Sequence, residues 1–557
     1  MFFRAKRSGS RTYLQIVENR WEGGATRQRV IATLGRLDAL QVSGQLEALL
    51  ESGARFAEAL MVVSAHREGT APAARSLEIG PALVFERLWE QTGCRRAIEE
   101  LLRGRKFGFP VERALFLEVL HRLFDPGSDR GCHLRWRQHV RVEGIEGLDL
   151  HHTYRAMAWL GEPLEKGQQE GATPFAPRCT KDLVEEALFH QRRDLFSCLD
   201  LVFFDTTSIY FEGEGGATLG RRGNSKDHRP DLKQMVVGVV LDDKGRPLCC
   251  ELWPGNTTDV RTLIPVVDRL RKRFHVGRVC VVADRGMISK ETVAELEDPS
   301  RDWLYILGAR LRSDKEVARK VLSRPGRYRE VVPDRSYATD PSPLKVKEVW
   351  VGDRRYIVCL NEEQARKDAA DREALLDSLQ QQLRHGAKSL VGNKGYRKFL
   401  KAQGESFTID EDRIAAEARL DGKWVLRTNA ELAAAEVAVK YKQLWTVEDI
   451  IRSMKSLLES RPVFHKRDET IRGHVFCSYL ALVLRKELQD RLEAKGDSDV
   501  EWAQALSDLE SLQEIEILHQ GKRFALRTET RGAAGKLLQA AGVALPPTVR
   551  QLTPAPG

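Results

Sequence analysis

The chain has 557 residues and carries 89 Lys plus Arg against 80 Asp plus Glu, a net charge of +9, with 30% of its residues charged. That length implies several domains, each with its own core, and excludes a peptide or a one-domain module. The mild basic excess permits a polyanionic partner without demanding one. The longest apolar runs, such as Met235 to Leu241, fall far short of the roughly 20 residues that a membrane helix needs.

The N-terminus, Met-Phe-Phe-Arg-Ala-Lys-Arg, has charges where a signal peptide needs an apolar stretch, so a cytoplasmic protein is expected. Residues 1–77 read as a small basic β-rich region followed by a helix and a linker. Alternation over Thr12 to Val17 and strand residues over Gln28 to Leu34 flank a Gly23-Gly24 turn, with eight Lys or Arg against three acids up to Asp38. A helical pattern at 39–60 and a Gly, Ala, Pro and Ser stretch at 65–77 complete it. Residues 78–198 are helical in period, as in Leu83, Phe85, Leu88 and Trp89, and read as an all-α DNA-binding domain. Between Arg103 and Arg141 nine Lys or Arg face four acids, interleaved with Phe107, Phe109 and Trp136. Such a patch, with Arg135 and Arg137 among its arginines, suits phosphate contacts and base stacking.

The texture changes at 199. Short apolar runs at Leu201 to Phe204, Met235 to Leu241, Leu248 to Trp253, Arg278 to Ala283 and Trp303 to Leu307 alternate with helical stretches at 258–274 and 288–297. Three strands joined directly, then a crossover helix and further strands, are the order of a ribonuclease-H-like α/β core, placed at 199–310. A β-rich insertion follows at 311–430, with a hairpin turning at Gly352-Asp353, a charged helix at 363–385, and a second strand pair at Ser406 to Ile409 and Lys423 to Leu426. The core resumes at 431–493 with helices at 430–459 and 472–493. A tail at 494–557 holds one or two helices, a strand near Arg523 to Arg527, and a Pro-rich end from Pro546 expected to fray. The fold class is therefore multidomain α+β. The nine scattered cysteines contain no Cys-x-x-Cys pair and read as small buried hydrophobes.

Two of these strands end in carboxylates, Asp205 and Asp284. On parallel neighbouring strands both emerge at the carboxyl edge of the sheet, where open α/β sheets place their sites, and a close pair attracts divalent cations. Strand-terminal Asp residues are also common turn formers and caps. Glu448 supplies a third carboxylate. At about 100° per residue, Tyr441, Arg452 and Lys455 lie within about 40° of it on one helical stripe. The apolar Val447, Ile451, Met454 and Leu458 form the adjoining face.

The string Tyr441-x2-Leu444-x3-Glu448-x6-Lys455 resembles the Tyr-Arg-Glu-Lys signature of bacterial insertion-sequence DDE transposases, with Leu444 in place of the Arg. Gly223 to Gln234, Gly245-Arg-Pro, Pro254 to Asp259, Asp284-Arg-Gly286, Arg461 to His465 and Gly473-His474 are similar to further blocks of that family, in family order. The resemblance implies Asp205, Asp284 and Glu448 as catalytic ligands of two Mg²⁺ or Mn²⁺ ions. It further implies hydrolysis at the element's ends and attack of the freed 3′-hydroxyl on target DNA. The partners are double-stranded DNA, both terminal repeats and target, with a homodimer joining two ends near the bacterial nucleoid. Lys226, Arg229 and Lys233 are assigned to phosphates from a loop that orders on DNA, as are Tyr441, Arg452 and Lys455 from the Glu448 helix. Trp350 is a candidate for holding a flipped base, a buried cross-strand Trp being its bland alternative. His465 and His474 have no further ligand cluster in the sequence and read as packing or hydrogen-bonding residues. A phosphatase with an Asp nucleophile is disfavoured because Asp205-Thr-Thr lacks a second Asp two residues on. A catalytically inactive, domesticated DNA-binding relative is the remaining alternative.

Overall fold

The computed structural model describes residues 2–9, 11–22, 25–46, 49, 74–170, 172, 176–192, 201–274, 279–332, 343–385, 394–403, 406–519 and 522–552. It forms two compact units, residues 1–76, 514–528 and 546–557 in one, and residues 77–513 and 529–545 in the other.

In the first unit β1 (Phe2–Ser8), β2 (Arg11–Glu22) and β3 (Ala25–Arg36) make a three-stranded antiparallel sheet, longer than the sequence pattern indicated. A helix at Leu37–Val42 follows. The rest of the expected 39–60 helix and most of the 65–77 linker lie outside the described residues. β4 (Ala74–Glu78) joins a second sheet, described below.

The second unit is built on β5 (Leu201–Tyr210), β6 (Gln234–Asp242), β7 (Pro247–Pro254), β8 (Cys280–Ala283) and β9 (Leu304–Gly308), in the order β7-β6-β5-β8-β9. β5, β8 and β9 are parallel, β6 runs antiparallel to β5, and β7, antiparallel to β6, points the same way as β5. The helix Leu263–Phe274 makes the crossover. This is the ribonuclease-H-like strand order read from the sequence. The expected insertion differs in two respects. β10 (Arg329–Val331), β11 (Leu344–Val351), β12 (Arg354–Leu360) and β15 (Lys423–Thr428) extend the same sheet beyond β9, giving nine strands rather than a separate β layer. β15 pairs antiparallel with β9, Leu426 opposite Gly308, so that edge of the core is covered rather than exposed. β14 (Ser406–Ile409) pairs with β13 (Leu400–Gln403), not with the Lys423 segment as expected. That hairpin and the helix Glu362–His385 form a small core of their own around Leu379, Phe399 and Leu400.

Both faces of the central strands are buried, which explains their continuous rather than alternating apolar runs. Phe203, Val237, Val282 and Ile306 face the layer of helices Ala434–Lys442, Trp445–Arg452 and Asp468–Ala494, whereas Val202, Phe204, Val240, Val281 and Leu307 face the crossover helix. The free edge of β7 is capped by side chains of the helix Thr180–Arg192. Lys181 Nζ donates to the Cys250 carbonyl at 2.7 Å and Glu185 accepts the Cys250 N–H at 2.9 Å. Arg273 joins Glu185, Glu186 and Glu251 beneath them, so these buried charges are paired.

The helices at 78–198 share a core with the sheet's helical layer. Val111–Phe124 and Leu150–Leu160 pack on Asp468–Ala494. A Cβ at Gly473 would stand 2.0 Å from the Met157 carbonyl oxygen, and one at Gly161 would stand 2.0 Å from that of Glu469. The eight described cysteines are free and buried. β16 (Gln513–His519), β17 (Lys522–Arg527) and β18 (Val549–Leu552) form the sheet β18-β17-β16-β4. The end expected to fray after Pro546 therefore contains a paired strand, because Val549 to Leu552 satisfy the open edge of β17. No helix among the described residues is long and apolar enough to cross a membrane.

Gly473→Ala is expected to lower the thermal midpoint, with a destabilisation of about 1–3 kcal/mol from the forced separation of two helices, read by calorimetry.

Candidate active site

Parallel pairing aligns Phe204 with Ala283, so Asp205 and Asp284 each stand one residue beyond the last register pair of adjacent strands. Alternation places both on the face of Phe203 and Val282, toward the helices Ala434–Lys442 and Trp445–Arg452. β8 stops at Ala283, while β5 continues to Tyr210 with β6 as its partner. Asp205 Oδ1 accepts the Thr206 N–H at 2.7 Å. Burial pushes its carboxyl up to about 6; Lys226 opposes the rise, and the charges of Asp284 and Asp259 add to it.

Asp259 was quoted in the sequence but given no role, and the structure brings it to this site from the opposite face of β5. Thr206 Oγ1 donates to Asp259 at 2.7 Å. Lys226 Nζ donates to the Thr206 carbonyl at 2.7 Å and pairs with Asp259 at 3.1 Å. One ammonium thus partly neutralises a cluster of carboxylates. The signal available in the sequence was an acid at the turn that leads out of β7 into the crossover helix.

The helix expected at 430–459 is divided. Ala434–Lys442 and Trp445–Arg452 are separate segments, and Ser453–Leu457 is a π-helical turn. The single 100° stripe therefore does not continue past Arg452, and the four polar residues part company. The Tyr441 hydroxyl donates to Asp284 Oδ1 at 2.9 Å. Its pKa rises through burial first, then through Asp284, with a smaller contribution from Glu448. It reaches Asp284 across Gly308, where a Cβ would lie 2.3 Å from the hydroxyl oxygen. Glu448 is exposed and makes no hydrogen bond or ion pair among the described residues. Asp205, Asp284 and Glu448 do not form a group whose ligand atoms all lie within 4.8 Å of one another. Arg452 is exposed and leans toward Asp449 at 3.8 Å rather than toward Glu448. Lys455 pairs at 2.7 Å with Asp227, a buried carboxylate that also binds Arg461. Leu444 is buried at the helix junction.

The other assigned DNA contacts are dispersed. Arg229 pairs with Asp231 and Lys233 with Glu214, and Asp227 ties their loop to the end of the Glu448 segment. Arg135 is exposed. Arg137 instead donates to the carbonyls of Ile145, Glu146 and Leu148 and closes a loop. Phe109 and Trp136, expected to be available for stacking on bases, are core residues. Trp350 is 49% exposed rather than buried. It borders a cavity of about 410 Å³ with Tyr305, Arg354, Arg355 and Asn429. His465 and His474 do meet a further ligand, Asp129. The cation there is Arg122, which donates to Asp129 at 2.7 Å and to His474 Nδ1 at 2.9 Å, so the cluster is hydrogen-bonded as expected.

Residues 196–484 match the family model described as Transposase DDE domain, and residues 3–66 match that of the IS1634 family transposase, N-terminal domain. The chain belongs to the DDE transposases of insertion sequences. That family comprises DNA-cleaving and strand-transferring enzymes that depend on divalent metal. Among solved structures, the piggyBac transposase synaptic complex with hairpin DNA is 11% identical over 77% of this chain and 78% of that chain, at a TM-score of 0.37. The Mos1 transposase paired-end complex with left transposon end is 15% identical over 38% and 66%, at 0.14. No curated protein sequence matches this transposase. The carboxylates fit a divalent cation: Asp205 and Asp284 offer hard oxygen donors at the ends of adjacent strands, and burial holds Asp205 above the ordinary range, with the charges of Asp284 and Asp259 adding to it.

Asp205 ordinarily titrates near pH 4, and a folded-state value near 6 means that the folded protein binds its proton more tightly than the unfolded chain. Stability therefore falls as pH rises from about 4 to 6, and the penalty is fully present above that range. Metal-free Asp205→Asn is expected to be more stable than wild type by on the order of 1–2 kcal/mol at pH 8 and equal to it below pH 4, read by thermal melts. Gly308→Ala is expected to displace Tyr441 from Asp284 and lower DNA cleavage about tenfold, the cost of one hydrogen bond of about 1.4 kcal/mol.

Proposed function

We propose that this transposase cuts double-stranded DNA at the ends of its insertion sequence and joins the freed 3′-hydroxyl to target DNA, with Asp205, Asp284 and Glu448 as ligands for two Mg²⁺ or Mn²⁺ ions. The observation that carries the reading is the convergence of Asp205 and Asp284 on one sheet edge, facing the helices of Tyr441 and Glu448. Bound there, divalent ions supply Lewis acidity to the attacking and leaving oxygens of a phosphodiester. The chain's own residues prepare the place. Tyr441 orients the Asp284 carboxylate, and the Thr206 N–H fixes one oxygen of Asp205, leaving the other for a ligand. Glu448, exposed and without an ion-pair partner among the described residues, supplies the third carboxylate from the helix on this side. Lys226 balances the acids until substrate arrives, then faces phosphate oxygens. Lys455, positioned by Asp227, takes the same role at the far side of the cleft.

Leu444 stands where the Tyr-Arg-Glu-Lys signature has Arg, and exposed Arg452 is the nearby side chain able to replace its phosphate contact. The exposed Trp350 above its cavity supports a stacking role for an extruded base. Joining two element ends calls for a homodimer on DNA, in the bacterial cytoplasm at the nucleoid.

The test is incubation with duplex DNA flanking the protein's own gene plus Mg²⁺, mapping the cut positions. Asp284→Ala is expected to reduce cutting by at least about 1,000-fold while end binding stays within a few-fold of wild type. Cutting by that variant at the wild-type rate overturns the assignment.

A further inference from the structure

The three-stranded sheet of the first unit has two unlike faces. A Cβ at Gly35, opposite Leu14, would lie 3.5 Å from Leu40 of the following helix, and Ile16 and Ala32 share that side, so this face is apolar near the helix and carries the charged pairs Glu18–Arg29 and Arg20–Arg27 farther along. The other face carries cross-strand rows set by the register: Lys6, Tyr13 and Arg36; Arg4, Gln15 and Thr33; Phe2, Val17 and Val30; and Asn19 with Gln28. Arg4 donates to Gln15 and to Gln28, both at 2.8 Å, and Gln15 donates to Thr33 at 3.1 Å. The chain of hydrogen bonds crosses all three strands and holds the long side chains extended over the face. Between Phe2 and Arg36 eight Lys or Arg oppose two acids.

We propose that this polar face reads the base sequence of the element's ends in the major groove of double-stranded DNA, an inference that rests on the transposase reading and adds a recognition surface to it. Arg and the carboxamides Gln and Asn match guanine and adenine edges bidentately, and the exposed Phe2 and Val30, which flank the buried Val17, suit thymine methyl groups. Three strands span about 10 Å between the outer backbones, within a major groove about 12 Å wide. The A-form major groove of RNA is too narrow for such a face. An acidic protein partner would explain the arginines but not the amide ladder. The contrast with residues 103–141 is informative. There Arg113, Arg122 and Arg137 are engaged by Glu112, Asp129 and backbone carbonyls, whereas on the sheet Lys6, Asn19 and Gln28 are exposed.

The experiment measures binding of the full-length protein to a labelled duplex from DNA flanking its gene and to a scrambled duplex of equal length, at fixed salt. Gln15→Ala/Asn19→Ala/Gln28→Ala is expected to cut the preference for the end duplex at least tenfold, and Asn19→Ala, at an exposed position, at least threefold. Circular dichroism checks folding, and the single variant decides if the triple variant is unfolded. Lys6→Ala is expected to weaken both duplexes alike and to lower the salt slope by about one. Undiminished preference in the folded variants overturns the inference, as does a wild-type protein that cuts DNA without preferring its ends. Preference that is lost in the variants, in a protein showing no metal-dependent cutting, upholds the inference and overturns the catalytic assignment instead.

Discussion

The parallel pairing of β5 with β8 is the constraint on which the site depends. It brings two apolar strands to the same carboxyl edge, and the two-residue period of a strand then sorts their side chains. Asp205 and Asp284 turn toward the helices that carry Tyr441 and Glu448. Thr206, the next residue on β5, turns the other way and reaches Asp259. A one-residue slip would exchange these faces and bury the carboxylates against the crossover helix, beside Val202 and Phe204. The burial of both faces prevents such a slip.

Charge is handled by the same architecture. The long sheet has one edge at β7, and the helix Thr180–Arg192 caps it with Lys181 and Glu185 bonded to the Cys250 peptide groups. Many cations that look available for DNA are spent in this way on internal work. Arg273 neutralises acids under the edge, Arg122 occupies the cluster of Asp129 and two histidines, and Lys226 sits among the carboxylates of the candidate site. A net charge of +9 is therefore a poor guide to where nucleic acid lies. The location of unspent cations is a better one, and the sheet β1–β3 carries such positions.

The strands of the core were legible because strands buried on both faces must be continuously apolar, as Met235 to Leu241 and Cys280 to Ala283 are. The crossover helix and the Gly352 hairpin were legible for equally local reasons. The breadth of the sheet was not, since pairing of β15 with β9 joins residues more than a hundred positions apart and leaves no local mark. The Glu448 stripe was legible only as far as helical geometry holds. The π turn at Ser453–Leu457 rotates Lys455 away toward Asp227, and no propensity in Ser-Met-Lys-Ser-Leu announces it. Asp259 was missed because its importance lies in a neighbour, Thr206, that only the folded sheet supplies.

The sequence by itself determined the strands of the core and their crossover helix, where two of those strands end in carboxylates, and through its ordered motifs which family the chain resembles. These are local properties, carried by apolar period, turn residues and spacing. Tertiary structure alone decided that Asp205 and Asp284 are neighbours, that Tyr441 passes over Gly308 to reach one of them, and that Arg137 is consumed by carbonyls while Trp350 is exposed. Each of those outcomes depends on which distant surface buries a given face. A side chain's partner is set by the whole packing arrangement, not by its own position in the chain.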